Sequence, residues 1–271
     1  MTAIHGPILD RYIGIDYSGA KTPTSSLKGL RVYLADRTAP PVEVTPPLSQ
    51  RKYWTRRGIG EWLVERLADP ERALIGIDHG FSFPMQYFEQ YGLPLDWLAF
   101  LDDFHRHWPT DEDHMYVDSV REGDRGQGAA RSGNPRWMRL TERRARTAKS
   151  VFRFDVQGSV AKSTHAGLPW LRYLCQQVGD RVHFWPFDGK RGRWFKRNLW
   201  ILIQITQFLR TGIPIDQRSG NPQKPGNRRP RISHSLHCQP AKYFPCSHHR
   251  SRLISSPDLL LFHALFLRYL R

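Results

Sequence analysis

The tetrapeptide Ile-Gly-Ile-Asp occurs twice in this chain, as Ile13–Asp16 and as Ile75–Asp78. Each copy is a short apolar run ending on a carboxylate, the pattern of a buried strand with Asp at its C-terminal end. Carboxylates so placed point into the crevice where open α/β sheets take their ligands. On neighbouring strands, Asp16 and Asp78 would offer two hard oxygen donors to Mg²⁺ or Mn²⁺, ions that complete their shells with water and substrate phosphate. Such ions activate water and stabilise the leaving oxygen in phosphodiester cleavage. The plainer alternative is that both aspartates cap turns or accept backbone amides, an ordinary use of Asp. The recurrence of the same four residues before both carboxylates favours the functional use.

The elements needed to hold that pair can be read around it. Arg11–Asp16 reads as a strand, Leu30–Ala35 as a second, and Val42–Thr45 as a short third between Pro40-Pro41 and Pro46-Pro47. Thr55 is placed to cap a helix running to about Ala68, with Ile59, Trp62, Leu63 and Leu67 on one face and Pro70 beyond its end. Ala73–Asp78 is the next strand. Three strands, a helix and a strand predict an antiparallel meander followed by a crossover that lays the fourth strand parallel to the first. Pro94 and Asp96 open a second helix, whose apolar face is Trp97, Leu98, Leu101 and Phe104 and which Pro109 ends. Residues 110–150 lose periodicity and read as a long surface insertion, a kind of segment that is usually functional or disordered. Val151–Val156 reads as a strand, Gly158–Gly179 as helical segments broken around Gly167-Leu168-Pro169, and Val182–Phe187 as a closing strand. The expectation is an α/β fold, a mixed five-stranded sheet in the order 3-2-1-4-5 with helices on both faces.

Four stretches in order carry a resemblance: Ile13–Lys21 (IGIDYSGAK), Ile75–Pro84 (IGIDHGFSFP), Lys149–Gly167 (KSVFRFDVQGSVAKSTHAG) and His183–Gly189 (HFWPFDG). Together they resemble an uncharacterised bacterial family of predicted ribonuclease-H-like nucleases, over residues 11–189. The resemblance implies a ribonuclease-H-like sheet with Asp16 on the first strand and Asp78 on the fourth as metal ligands. Members of that family continue into a Glu-Val-Tyr-Pro motif and a later helix with further aspartates. Here Gly189 is followed by Lys190-Arg-Gly-Arg-Trp-Phe-Lys196, and no glutamate occurs after Glu142.

Further candidates surround the pair. Glu61, with Glu65, lies on the helix where ribonuclease-H-like enzymes often place a third carboxylate, although a solvated face beside Arg57 and Arg66 is the commoner arrangement. Asp188 ends the last strand, in an Asp-Gly that is also ordinary turn chemistry. Gly158–Thr164 imitates a phosphate loop, but Ala161 stands before Lys162 and the glycine spacing is too short for an ATP site. Lys162 and His165 remain candidates for contact with a phosphate backbone. Arg131, Arg136 and Arg139 could neutralise phosphates, with Trp137 as a stacking face; a solvated basic loop is the alternative.

The charge is uneven. Residues 1–188 carry 25 Lys+Arg against 23 Asp+Glu, whereas residues 189–271 carry 16 against only Asp216 and Asp258. A step of +2 to +14 suggests either a nucleic-acid-binding tail or a frameshifted or otherwise aberrant translation from about residue 190, poorly ordered. The domain reading is therefore a C-terminally incomplete 1–189 domain and a basic 190–271 tail. His234, His237, Cys238, Cys246, His248 and His249 cluster there, but the Cys-x7-Cys spacing fits no usual zinc knuckle. The three cysteines form no disulfide framework, no signal-peptide pattern opens the chain, and no apolar run reaches the ~20 residues that span a bilayer. These features predict a cytoplasmic protein without a membrane partner. The function expected is metal-dependent hydrolysis of nucleic acid, impaired or absent in this chain for want of the later carboxylates. The alternatives are an actin-like or sugar-kinase-like nucleotide-binding domain, since Ile-Gly-Ile-Asp before small residues also suits their phosphate loops, and a non-catalytic nucleic-acid-binding protein.

Overall fold

A computed structural model describes residues 9–47, 52–144 and 148–188, and the backbone of residues 200–204. The chain divides into two compact units, Met1–Gly212 with Ser256–Arg271, and Ile213–Ser255; every described residue lies in the first.

The fold is α/β, with a mixed sheet flanked by helices. Strands β1 (Arg11–Asp16), β2 (Arg31–Asp36) and β3 (Val42–Val44) form the antiparallel meander, and β4 (Ala73–Ile77) lies parallel to β1. Beyond this mixed four-stranded part the sheet continues in parallel through β6 (Trp200–Gln204) to β5 (Val182–Phe184), giving the order β3-β2-β1-β4-β6-β5. The expected closing strand thus sits at the edge, and a strand after residue 189, where no element was expected, separates it from β4. The rest of the tail and its His/Cys cluster lie outside the described residues.

Helix α1 (Arg56–Arg66) starts where Thr55 predicts, and the Thr55 hydroxyl accepts the Gly58 amide at 2.9 Å. Helix α3 (Trp97–His107) starts at Asp96, whose carboxylate accepts the Ala99 amide at 2.8 Å. Between them α2 (Met85–Tyr91), without sequence warning, buries Tyr87 and Phe88 and ends on Gly92 in the left-handed conformation.

Three expectations change. Residues 110–150 are no surface insertion: α4 (Val117–Arg121) and α5 (Leu140–Arg144) lie within them, and Val117 and Val120 are fully buried in the core. Val151–Val156 forms turns, with Val151 and Phe152 plugged inward. Residues 161–178 form a single helix, α6 (Ala161–Val178), that runs through Pro169. Proline lacks the N–H that would bond the carbonyl four residues back, that of His165. The buried Thr110 hydroxyl donates to that carbonyl at 2.8 Å, which satisfies it from the supposed insertion.

Strand alternation assigns the sheet's faces. Ile13, Ile15, Val32, Ile75 and Ile77 join α1, α3 and α6 in the main core. Tyr12, Gly14 and Asp16 alternate to the other face, with Arg31 and Tyr33 on β2 and Leu74, Gly76 and then Asp78 on or after β4. Helices on both faces were expected; among the described residues the helical layer packs on one. No described helix is long and apolar enough to cross a membrane.

Candidate functional site

The duplicated tetrapeptide pairs with itself. In the β1–β4 ladder Ile13 stands against Ile75, Gly14 against Gly76 and Ile15 against Ile77, and the Asp78 amide extends the ladder to the Ile15 carbonyl at 3.0 Å. Asp16 and Asp78 therefore sit at one level on adjacent parallel strands, roughly 4.8 Å apart in the sheet direction, on the face away from the core helices. Both are half-buried. Burial raises the Asp16 pKa above its ordinary value, against the opposing pull of the Tyr17 amide and the Arg31 charge.

The residues after the two carboxylates turn to the helical side. The rings of Tyr17 and His79 meet edge to face at 4.6 Å. His79 is buried, and burial, reinforced by the Arg139 charge, pushes its pKa down to about 4, so it is neutral at pH 7. Its Nδ1 lies 2.9 Å from the Gly80 carbonyl. Helix α6 lies over both turns. A Cβ at Gly167 would fall 2.4 Å from His79 Nε2, and one at Gly19 would fall 2.0 Å from the Lys162 carbonyl oxygen. The Gly80 amide donates to Thr164 Oγ1 at 2.8 Å.

The two turns are tied differently. After β1, the buried Arg56 guanidinium donates to the carbonyls of Ser18, Ala20 and Lys21 at 3.1, 2.7 and 2.7 Å. Among the described residues no carboxylate pairs with it, and its desolvation lowers its pKa against a small opposing pull from Tyr17. After β4, Arg139 reaches the Ser82 carbonyl at 3.3 Å while its Nε and Nη2 bond Glu142 Oε1 at 2.9 and 2.6 Å, in a buried ion pair.

The other candidates do not converge on the pair. Glu61 is exposed on α1, which packs on the opposite face, and its charge is felt by Tyr173 near the far end of α6. Asp188 accepts the Phe184 amide at 2.7 Å and closes a turn. Lys162 is ion-paired with Asp118 at 2.6 Å. His165 is fully buried among Phe83, Phe104, Trp108 and Phe154, and burial pushes its pKa down to about 3. Its ring is part of the core, out of reach of a phosphate backbone. Arg131 forks onto Asp103 at 2.6 and 2.9 Å with its guanidinium over the Tyr91 ring. Trp137 is partly buried against the core, and Arg139 is committed to Glu142. Of these four proposed nucleic-acid contacts, Arg136 alone is exposed.

Sequence reasoning missed Arg56, His79 and Arg139 as organisers of the turns. The single available signal was His79 itself, a histidine directly after a candidate ligand. Among the described residues no group of three or more His, Cys, Asp or Glu side chains forms a metal site. The donor chemistry of Asp16 and Asp78 suits a hard cation held by two carboxylates and completed by water and substrate, but not a full cage. Compared with known proteins, the chain matches no family model, no curated protein and no solved structure.

Proposed function

We propose that this chain is a ribonuclease-H-like protein whose site is built for divalent-metal-dependent phosphodiester hydrolysis of nucleic acid, and that the chain is catalytically impaired. One observation carries the reading: two aspartates on adjacent parallel strands stand at the same register level at the strands' C-terminal ends. Asp16 and Asp78 would hold Mg²⁺ or Mn²⁺, which supplies an activated water and stabilisation of the leaving oxygen. The chain's own contribution is placement. Arg56 fixes the turn after Asp16, α6 and Arg139 fix the turn after Asp78, and the neutral His79 adds no positive charge beside them.

Impairment follows from the want of a third donor among the described residues, since Glu61 faces solvent on the wrong side of the sheet and Asp188 is engaged in a turn. The nucleotide-binding alternative gains less support, because the turn after β1 directs its carbonyls at Arg56 where a phosphate would call for amides. The test is a thermal-shift titration with Mn²⁺ beside a cleavage assay on labelled single- and double-stranded substrates. Mn²⁺ is expected to raise the melting temperature of the wild type and to leave Asp16→Asn unmoved, with little cleavage by either. No Mn²⁺ shift in the wild type sinks the site; robust cleavage that Asp16→Asn abolishes sinks the impairment.

A further inference from the structure

The carboxylate pair has a cationic neighbour at the same level. In the β1–β2 ladder Asp16 stands directly against Arg31, so Asp78, Asp16 and Arg31 form a row across three adjacent strands on one face. At roughly 4.8 Å per strand the row spans about 10 Å. Arg31 and Asp16 feel each other electrostatically, each moving the other's pKa toward its charged form.

Arg31 is not buried in this row. Its side chain is 41% exposed, lies over the Tyr33 ring with Cζ 5.3 Å from the centroid, and forks onto Glu43 of β3 through Nε–Oε1 at 2.9 Å and Nη2–Oε2 at 2.5 Å. Glu43 stands against Tyr33 in the β2–β3 ladder, on the same face, and reaches back to the guanidinium. The geometry of that fork is the one a phosphate makes: two oxygens in the guanidinium plane. An exposed pair of this kind contributes roughly 0–1 kcal/mol to stability, so a phosphodiester faces a small barrier to replacing Glu43.

We propose that Arg31 is a phosphate-binding residue of the site, held in reserve by Glu43 and taken over by a backbone phosphate of the nucleic acid beside the one at Asp16 and Asp78. This rests on the nuclease reading for the identity of the ligand. Two anions then compete for one guanidinium, which gives the two partners opposite signs. Removing Arg31 weakens binding, and neutralising Glu43 strengthens it. A merely structural tie between β2 and β3 would make both substitutions act in the same direction.

The experiment is fluorescence anisotropy of the full-length chain with a labelled single-stranded oligonucleotide in EDTA, across a salt series, with urea denaturation of each variant as a folding control. Arg31→Ala is expected to weaken binding about three- to tenfold and to lower the salt slope by about one phosphate contact. Glu43→Gln is expected to tighten binding by a few-fold. Equal binding by wild type and Arg31→Ala overturns the inference and leaves the nuclease reading standing; so does weakening by Glu43→Gln. A wild type that binds no oligonucleotide overturns both. Loss of binding in Arg31→Ala through unfolding would show in the urea control, and the sign of the Glu43→Gln effect then decides.

Discussion

The turns after β1 and β4 follow the same four residues and point the same side chain to the same face, yet they are secured by opposite means. The turn after Asp16 is gathered around one buried cation, Arg56, through three carbonyls and, among the described residues, no carboxylate. The turn after Asp78 is held by neutral contacts with α6 and by a buried cation, Arg139, whose charge Glu142 offsets. A repeated strand therefore sets the level and face of the two aspartates, while their surroundings are built independently. Burial raises the pKa of Asp16, a cost that an added cation would relieve.

The contrast can be broken at either end. The largest effect is expected for Arg56→Ala, which strands three carbonyls and should cost roughly 3–5 kcal/mol. Urea denaturation measures the cost, and hydrogen exchange should rise first across residues 18–21. Glu142→Ala should cost about 3 kcal/mol by leaving the Arg139 guanidinium buried without its carboxylate, with exchange rising around residues 79–82. If both variants loosen the same turn, the two anchors are not independent. Gly167→Ala drives a methyl into His79 and should cost about 1–3 kcal/mol; an unchanged midpoint would mean that α6 can shift without disturbing the turn after β4.

The smallest effect carries a sign. Because the folded-state pKa of Asp16 is raised, ionising it disfavours the fold. Its unfavourable contribution is absent below the ordinary Asp value and complete once pH passes the folded value. Asp16→Asn should therefore be slightly more stable than the wild type at pH 7 in EDTA, with that advantage gone at low pH. A destabilised variant at neutral pH would mean that the carboxylate serves structure.

Much of this was legible before any coordinates. The meander, the parallel return to β1 and the caps at Thr55 and Asp96 are local signals, and each is read from a few adjacent residues. What was not legible depends on partners far apart in sequence. Pro169 looks like a break in α6 until Thr110 supplies the missing hydrogen bond, 59 residues earlier in the chain. Arg56 looks like one of two surface arginines at a helix start, because its three partners are backbone carbonyls that carry no residue signature. Arg131, Arg139 and Lys162 have the composition of a phosphate-binding surface, but acidic side chains remote in sequence or one helical turn away take their charges. Burial alone separates His165 from a site histidine, and periodicity within α6 does not reveal the aromatic shell that closes over it.

The self-pairing of Ile-Gly-Ile-Asp also bears on how the chain finds its register during folding. A slip of one residue between β1 and β4 would turn one aspartate from its half-buried place on the face away from the core helices into the apolar core, with the full penalty of an unpaired buried charge. It would also set isoleucine against glycine on both faces. A slip of two keeps the faces but leaves one carboxylate beyond the end of its partner strand. The duplicated tetrapeptide thus acts as its own proofreader: mispairings of the central strands lose either solvation or strand overlap, and the alignment that avoids both brings the two acids together.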